Sequence, residues 1–210
     1  MKTPIDVANW FIFRNPELAT HHQNRKLDKL VYFSDLMHTA VYGFPFVGEP
    51  RVGYEHGPVH ESIHKAYSKG HLIRIPDKKD LADFSSQEER VMQVVDIAYG
   101  DCDHLSLEEE ARRHPSFQKI SPNIDIDEGI HPVVDIEEEE SVMEMLRRMY
   151  RAYEGFDFNR LEKVRINGNV FYYLKDNLEM SEELLEELSH WSNSPEAIFL
   201  EDIDGELVIS

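Results

Sequence analysis

The chain of 210 residues contains a single cysteine, Cys102. One cysteine cannot form an internal disulfide, which favours a reducing compartment such as the cytosol. Asp101 and Asp103 flank it, and their negative charges are expected to raise the pKa of the thiol. Since the thiolate is the reactive form, we expect Cys102 to be a poor nucleophile.

Long apolar runs and glycine-rich loops are also missing. No apolar run approaches the roughly 20 residues that cross a bilayer, and the apolar stretch at residues 10–13 is too short for a signal peptide. We therefore expect a soluble, cytoplasmic protein. No phosphate-binding loop and no G-x-S-x-G elbow is present, so the sequence predicts no catalytic residue of those classes and no cofactor.

Basic residues are scarce relative to acidic ones. Lys and Arg number 22 against 41 Asp and Glu, which gives a formal net charge of −19. This field repels phosphate backbones and anionic lipids, so we expect neither nucleic-acid nor membrane binding. It attracts a basic partner protein. A high negative charge also keeps a protein soluble, and charge alone does not separate these two interpretations.

The periodicity predicts a mainly helical N-terminal part. Thr3 and Pro4 begin a first helix that ends before Pro16. Apolar residues between positions 27 and 41 form one broad face of a long helix that ends at Gly43, and this is the predicted central core helix. Further elements follow: a strand at 51–54, a helix opened by Gly57-Pro58, an edge strand at 71–76, a helix that is capped by Ser85 or Ser86 and ends at Gly100, and a helix capped at Ser106.

The C-terminal part has a different pattern. Residues 121–140 are rich in acids and predict a mobile connection, which is followed by a helix at 141–153. Beyond it, Asn167-Gly168 and Asp204-Gly205 predict two hairpins around a helix capped by Ser181. The predicted fold is α+β: a mainly helical domain (1–120), an acidic connection and helix (121–156), and a ββαββ appendage (157–210).

The sharpest chemical motif is His60-Glu61-x-x-His64, which matches the zinc-protease pattern. Two histidines four residues apart share a helix face and can ligate Zn²⁺, while the glutamate polarises a bound water. Three features weaken the interpretation of this motif as a zinc site. Pro58 places the motif in the first helical turn, Lys65 adds a cation beside the second ligand, and no third ligand follows at a typical spacing. Because of these features, a zinc-dependent hydrolase that uses this motif is only the alternative function.

Two further groups suggest interaction surfaces. The acids Asp125, Asp127, Glu128 and 137–140 lack the glycine and spacing of a calcium loop. They favour either a solvated linker or an acidic segment that binds a basic surface or mimics nucleic acid. Aromatic residues surround the central helix, and most are expected in the core, with edge tyrosines available as interface anchors. These aromatics are Tyr32, Phe33, Tyr42, Phe44, Phe46 and Tyr54.

The order of several motifs is more specific. Residues 26–33 read KLDKLVYF, 43–46 read GFPF, and 54–59 read YEHGPV, with DVANWF before them at 6–11 and Leu105-Ser106 and His114-Pro115 after them. Over about residues 3–120 this order resembles the Panacea domain, also called the SocA-like antitoxin domain.

The resemblance implies a non-enzymatic antitoxin that neutralises a co-encoded toxin by direct protein contact. Some relatives act as proteolytic adaptors, so a protease complex is a further expected partner, and others lie in phage or prophage defence loci. The expected toxin is basic. The candidate partner-binding residues come from these motifs: Lys26, Lys29, Tyr32, Tyr54, His56, Gly57, Pro58 and His60.

Overall fold

The computed structural model describes residues 1–125, 127–135, 140–192, 198–203 and 206–209. Contacts divide the chain into two compact units, Met1–Glu154 and Gly155–Ser210. The finer division at residues 120 and 156 stays a prediction. The described elements are α1 (Pro4–Arg14), α2 (Asn24–Tyr42), β1 (Val52–Tyr54), β2 (Gly57–Val59), α3 (Glu61–Ser68), α4 (Ser86–Tyr99), α5 (His104–Arg113), α6 (Pro115–Ile120), α7 (Glu140–Ala152), β3 (Leu161–Ile166), β4 (Asn169–Leu174), α8 (Glu182–Ser189), β5 (Ile198–Ile203) and β6 (Glu206–Ile209).

Helix α2 is the centre of the first unit, as its apolar periodicity predicted. Every residue from position 27 to 40 is buried, because α1, α3, α4, α5 and α7 all pack against this helix. It ends at Gly43, whose left-handed conformation lets its N–H bond to the carbonyl of Thr39. The predicted caps of the neighbouring helices are confirmed: Thr3 and Ser85 each accept a backbone N–H in a reciprocal capping box.

Three local predictions were wrong. Gly57-Pro58 does not open a helix but starts β2, because Pro58 pairs with Gly53 across an antiparallel hairpin. Helix α5 is capped by Asp103 rather than Ser106, since the Asp103 carboxylate accepts two backbone N–H groups at 2.8 and 3.0 Å. Residues 71–76 form turns and irregular backbone, and no described strand lies beside them to supply ladder hydrogen bonds.

Residues 132 and 134 of the acidic connection form backbone hydrogen bonds with β1 and with the residue before it. The N–H of Gly53 bonds to the carbonyl of Pro132 at 2.8 Å, and the N–H of Val134 bonds to the carbonyl of Arg51 at 2.8 Å. Val134 is buried. The prediction of a mobile linker is therefore wrong for residues 131–134. The acids at 137–139, like the turn Asp204-Gly205, lie outside the described residues.

The second unit has the predicted ββαββ order. Its sheet runs β3-β4-β5-β6, with β4 parallel to β5 through the crossover helix α8 and the other pairs antiparallel. Asn167 and Gly168 both have positive φ, as a two-residue hairpin turn requires. The hydrophobic core of this unit is formed by Phe171, Ile198 and Leu200 of the sheet and Leu188 of α8. Across the described residues, no helix combines the length and hydrophobicity needed to span a bilayer.

Candidate partner-binding site

The β1–β2 hairpin carries four of the predicted site residues, and two of them, Tyr54 and His56, are partly exposed. Tyr54 ends β1, Gly57 begins β2, and Glu55 and His56 form the turn between them. Gly57 has φ +102°, a conformation that favours glycine. A β-carbon there would lie 3.4 Å from Cε of Lys29, an ordinary van der Waals distance, so the positive φ and not a lack of space is what favours glycine.

Tyr54 is half-buried against two histidine rings. The ring of His131 stacks on it with centroids 3.8 Å apart, and the ring of His64 lies 5.9 Å away. His131 Nδ1 is 3.3 Å from the carbonyl oxygen of Gly53, which ties the stacked ring to β1. Burial and the carboxylate of Glu61 raise the pKa of Tyr54. Its hydroxyl is therefore neutral at physiological pH and suits a protein interface.

A groove of about 860 Å³ is lined by Tyr54, α5 and α6. The apolar part of its lining comes from Tyr54, Leu105, Phe117 and Ile124, and Leu105 is 61% exposed. Its charged lining residues are Glu55, Glu108, Glu109, Arg112 and Arg113. A groove that combines apolar and charged side chains is typical of a surface that binds a segment of another protein.

Tyr54 also lines a second, smaller pocket of about 270 Å³. Arg25 and His56 contribute polar groups to it, and Ile63 and Tyr67 contribute apolar ones. Since Tyr54 belongs to both concavities, it is the shared wall between them. A partner that filled both cavities would contact the Tyr54 ring from both of them.

A buried ion pair lies beneath the smaller pocket. Lys29 is 1% exposed, and its ammonium donates to Asp28 Oδ2 at 3.0 Å and to the carbonyl of Pro58 at 2.9 Å. The other carboxylate oxygen of Asp28 accepts the N–H of His60 at 3.4 Å. These bonds attach α2 to β2, so the pair positions the hairpin that carries Tyr54.

Glu108 lies between the two concavities and was missed as a site residue. It lines the groove, while its neighbours Arg25 and His56 line the smaller pocket. Arg25 Nη1 is 3.5 Å from Oε1, and His56 Nδ1 is 3.5 Å from Oε2. Its position beside Leu107 and three residues before Ala111, both on the buried face of α5, was the available signal. A charged residue on an apolar face needs a partner.

A second buried charge cluster surrounds Asp35. Oδ1 of Asp35 accepts the N–H groups of Phe46 and Val47 at 2.7 and 3.2 Å. Oδ2 lies 2.5 Å from Arg51 Nη2 and 3.5 Å from His60 Nε2. Burial acts to raise the pKa of Asp35, but the His60 ring, the Arg51 charge and the Val47 N–H outweigh it and lower that pKa.

The predicted partner-binding residues divide by exposure. Lys26, Tyr54 and His56 are partly exposed. The other five residues are buried and are not available for direct contact in this conformation: Lys29, Tyr32, Gly57, Pro58 and His60. Tyr32, for example, is bonded through its hydroxyl to His114 Nδ1 at 2.9 Å. Binding by the exposed residues stays a prediction, and the buried ones support them.

The structure separates the two histidines of the zinc motif. His60 precedes α3, is fully buried and faces Asp35, whereas His64 lies on the exposed surface of α3. The expectation that both lie in the first turn of one helix was wrong, because β2 takes up the residues before His60. Within the described ranges, no three His, Cys, Asp or Glu side chains are placed to hold a metal ion.

Comparison with known proteins gives one match. The family model described as the antitoxin SocA-like, Panacea domain covers residues 27–167. No curated protein and no solved structure matches the chain. The matched segment contains α2 from Leu27 onward, the β1–β2 hairpin and every residue that lines the groove.

Proposed function

The chain belongs to the SocA-like antitoxin family with a Panacea domain, and from this antitoxin-like role we propose a specific activity. The protein is the antitoxin of a toxin–antitoxin or phage-defence module and neutralises its partner toxin by direct protein–protein binding. It acts by contact rather than by catalysis.

The observation that carries the proposal is the groove beside Tyr54. It combines apolar and charged side chains, and the residues that line it all lie inside the family match. Interfaces of this kind draw most of their binding energy from a few central aromatic or arginine side chains surrounded by polar groups. Tyr54, held by His131 and by the buried pair beneath the hairpin, is the expected anchor.

The charge of the chain supports a basic toxin. The net charge of −19 attracts a positively charged protein over a distance and raises its association rate at low salt. Because this attraction is screened, the association rate is expected to fall as the salt concentration rises, while the dissociation rate changes less.

Co-expression with the product of the adjacent gene tests the proposal. We expect the neighbouring protein to arrest growth alone, and growth to return when this chain is co-expressed and co-purifies with it. Failure of both rescue and co-purification would contradict the proposal. An immunoblot for the toxin separates two routes: a constant toxin level indicates direct blocking, and a level that falls only in protease-competent cells indicates delivery to a protease.

A further inference from the structure

The carboxylate of Glu108 is buried but incompletely hydrogen-bonded. The residue is only 6% exposed, and its Oε1 accepts no hydrogen bond from any described residue. The nearest basic side-chain nitrogens, Arg25 Nη1 and His56 Nδ1, each lie 3.5 Å from one of its oxygens. A carboxylate accepts about four hydrogen bonds when fully satisfied. Since a buried acceptor without a donor is destabilising, Glu108 is suited to receive a donor from a ligand.

We propose that Glu108 receives a lysine or arginine side chain of the bound partner, inserted into the groove beside Tyr54. This inference rests on the proposed function, because it specifies the partner chemistry of the same groove. The apolar stem of such a side chain would lie against Tyr54 and Leu105, and its charged end would reach the carboxylate. Glu55, another acid that lines the groove, adds attraction for the same charge.

The other charges in the groove leave room for this cation. Arg113 is already engaged, since its guanidinium lies 2.6 Å from Glu109 Oε1 and 3.7 Å from Glu110 Oε2. Arg112 lines the groove and makes no ion pair with another described residue. A partner segment that places a base opposite Glu108 and an acid opposite Arg112 would therefore match both charges, which fixes its direction along the groove.

A peptide titration tests the chemistry without the toxin. The probe is a capped amphipathic peptide of leucine and lysine, titrated into the isotope-labelled full-length protein and followed by NMR. We expect shifts at the amides of Tyr54, Leu105 and Phe117, and none with the matched leucine–glutamate peptide. Shifts confined to residues 155–210, or spread over the acidic surface without the groove, would overturn the inference.

The variant Glu108→Gln is expected to bind the lysine peptide about tenfold more weakly, because a charge-assisted bond becomes a neutral one. Glu89→Gln, the same change at an exposed position of α4, is the matched control and should bind within about twofold of the wild type. If Glu108→Gln lowers the melting temperature strongly, Glu108→Asp serves instead, with an affinity between the two. Equal affinity for both glutamine variants would overturn the inference.

The same variants distinguish this inference from the proposed function. If the neighbouring toxin binds the wild type and Glu108→Gln equally well, the basic anchor is wrong and the antitoxin function stands. If no neighbouring toxin binds at all, the proposed function fails, while the peptide titration still decides whether Glu108 receives a cation.

Discussion

The ring of Tyr54 lies flat against the ring of His131, with centroids 3.8 Å apart and planes inclined by 11°. The two residues belong to segments far apart in sequence, and backbone bonds between β1 and residues 132–134 bring them together. The stack restricts the rotation of an aromatic side chain that lines both concavities. A side chain restricted before binding loses less entropy when a partner contacts it.

We expect Tyr54→Ala to weaken binding of the partner toxin by at least about tenfold, because it removes the central apolar anchor. Tyr54→Phe retains the ring and should stay within about threefold of the wild type. Isothermal titration calorimetry measures both, and circular dichroism checks that each variant is folded. Full affinity in the alanine variant would show that the partner binds elsewhere.

Lys29→Met is expected to lower the free energy of unfolding by about 3 kcal/mol, since it leaves the carboxylate of Asp28 buried without its cation. Urea denaturation measures the change. Lys65→Met, which removes a solvent-exposed lysine from an i,i+4 pair with Glu61, is the control and should show no resolvable change. In the double variant Asp28→Asn/Lys29→Met the loss should be less than additive. Additive losses would mean that the two side chains do not interact.

Asp35→Asn should lower the free energy of unfolding at pH 7 by about 3 kcal/mol, because Arg51 loses its carboxylate partner. The pKa of Asp35 is lowered below its ordinary value of 3.8. Its contribution to stability is therefore complete above that value and is lost as the pH falls through the lower, folded-state pKa. The stability difference between wild type and variant should shrink below about pH 4. A difference that stays constant between about pH 3 and 6 would contradict this.

Cys102 should be alkylated slowly in the folded protein. Burial raises the pKa of its thiol, and the charges of Asp101 and Asp103 raise it further against the opposing effect of Lys26. The rate with iodoacetamide should therefore rise at a higher pH in the folded protein than in urea, because the thiolate is the reactive form. Asp101→Asn is expected to shift the folded profile to lower pH. Identical pH profiles for folded and unfolded protein would refute the prediction.

The helices could be predicted because their signals are local. The apolar periodicity of α2 and the caps at Thr3 and Ser85 lie within each element, so neighbouring residues are sufficient to indicate them. Gly57-Pro58 shows the limit of such signals. Proline suits both a first helical turn and a short edge strand, and only the pairing of Pro58 with Gly53 decides for the strand.

The candidate site was harder to predict, because its parts come together only in the folded chain. As a charged residue, Lys29 was predicted to contact the partner, yet it is buried against Asp28 and Pro58. Ser106 was predicted to cap α5, yet Asp103 takes that role, and Glu108 lies on the buried side of this helix and lines the groove. A buried charge depends on distant partners, which a single sequence does not identify.

Hydrogen–deuterium exchange on the complex with the neighbouring toxin tests the central claim most directly. If the groove beside Tyr54 is the binding surface, amides of the hairpin at 54–57 and of residues 105–118 should be protected in the complex relative to the free protein. Protection confined to other surfaces, with unchanged exchange at the hairpin and along α5 and α6, would contradict the account.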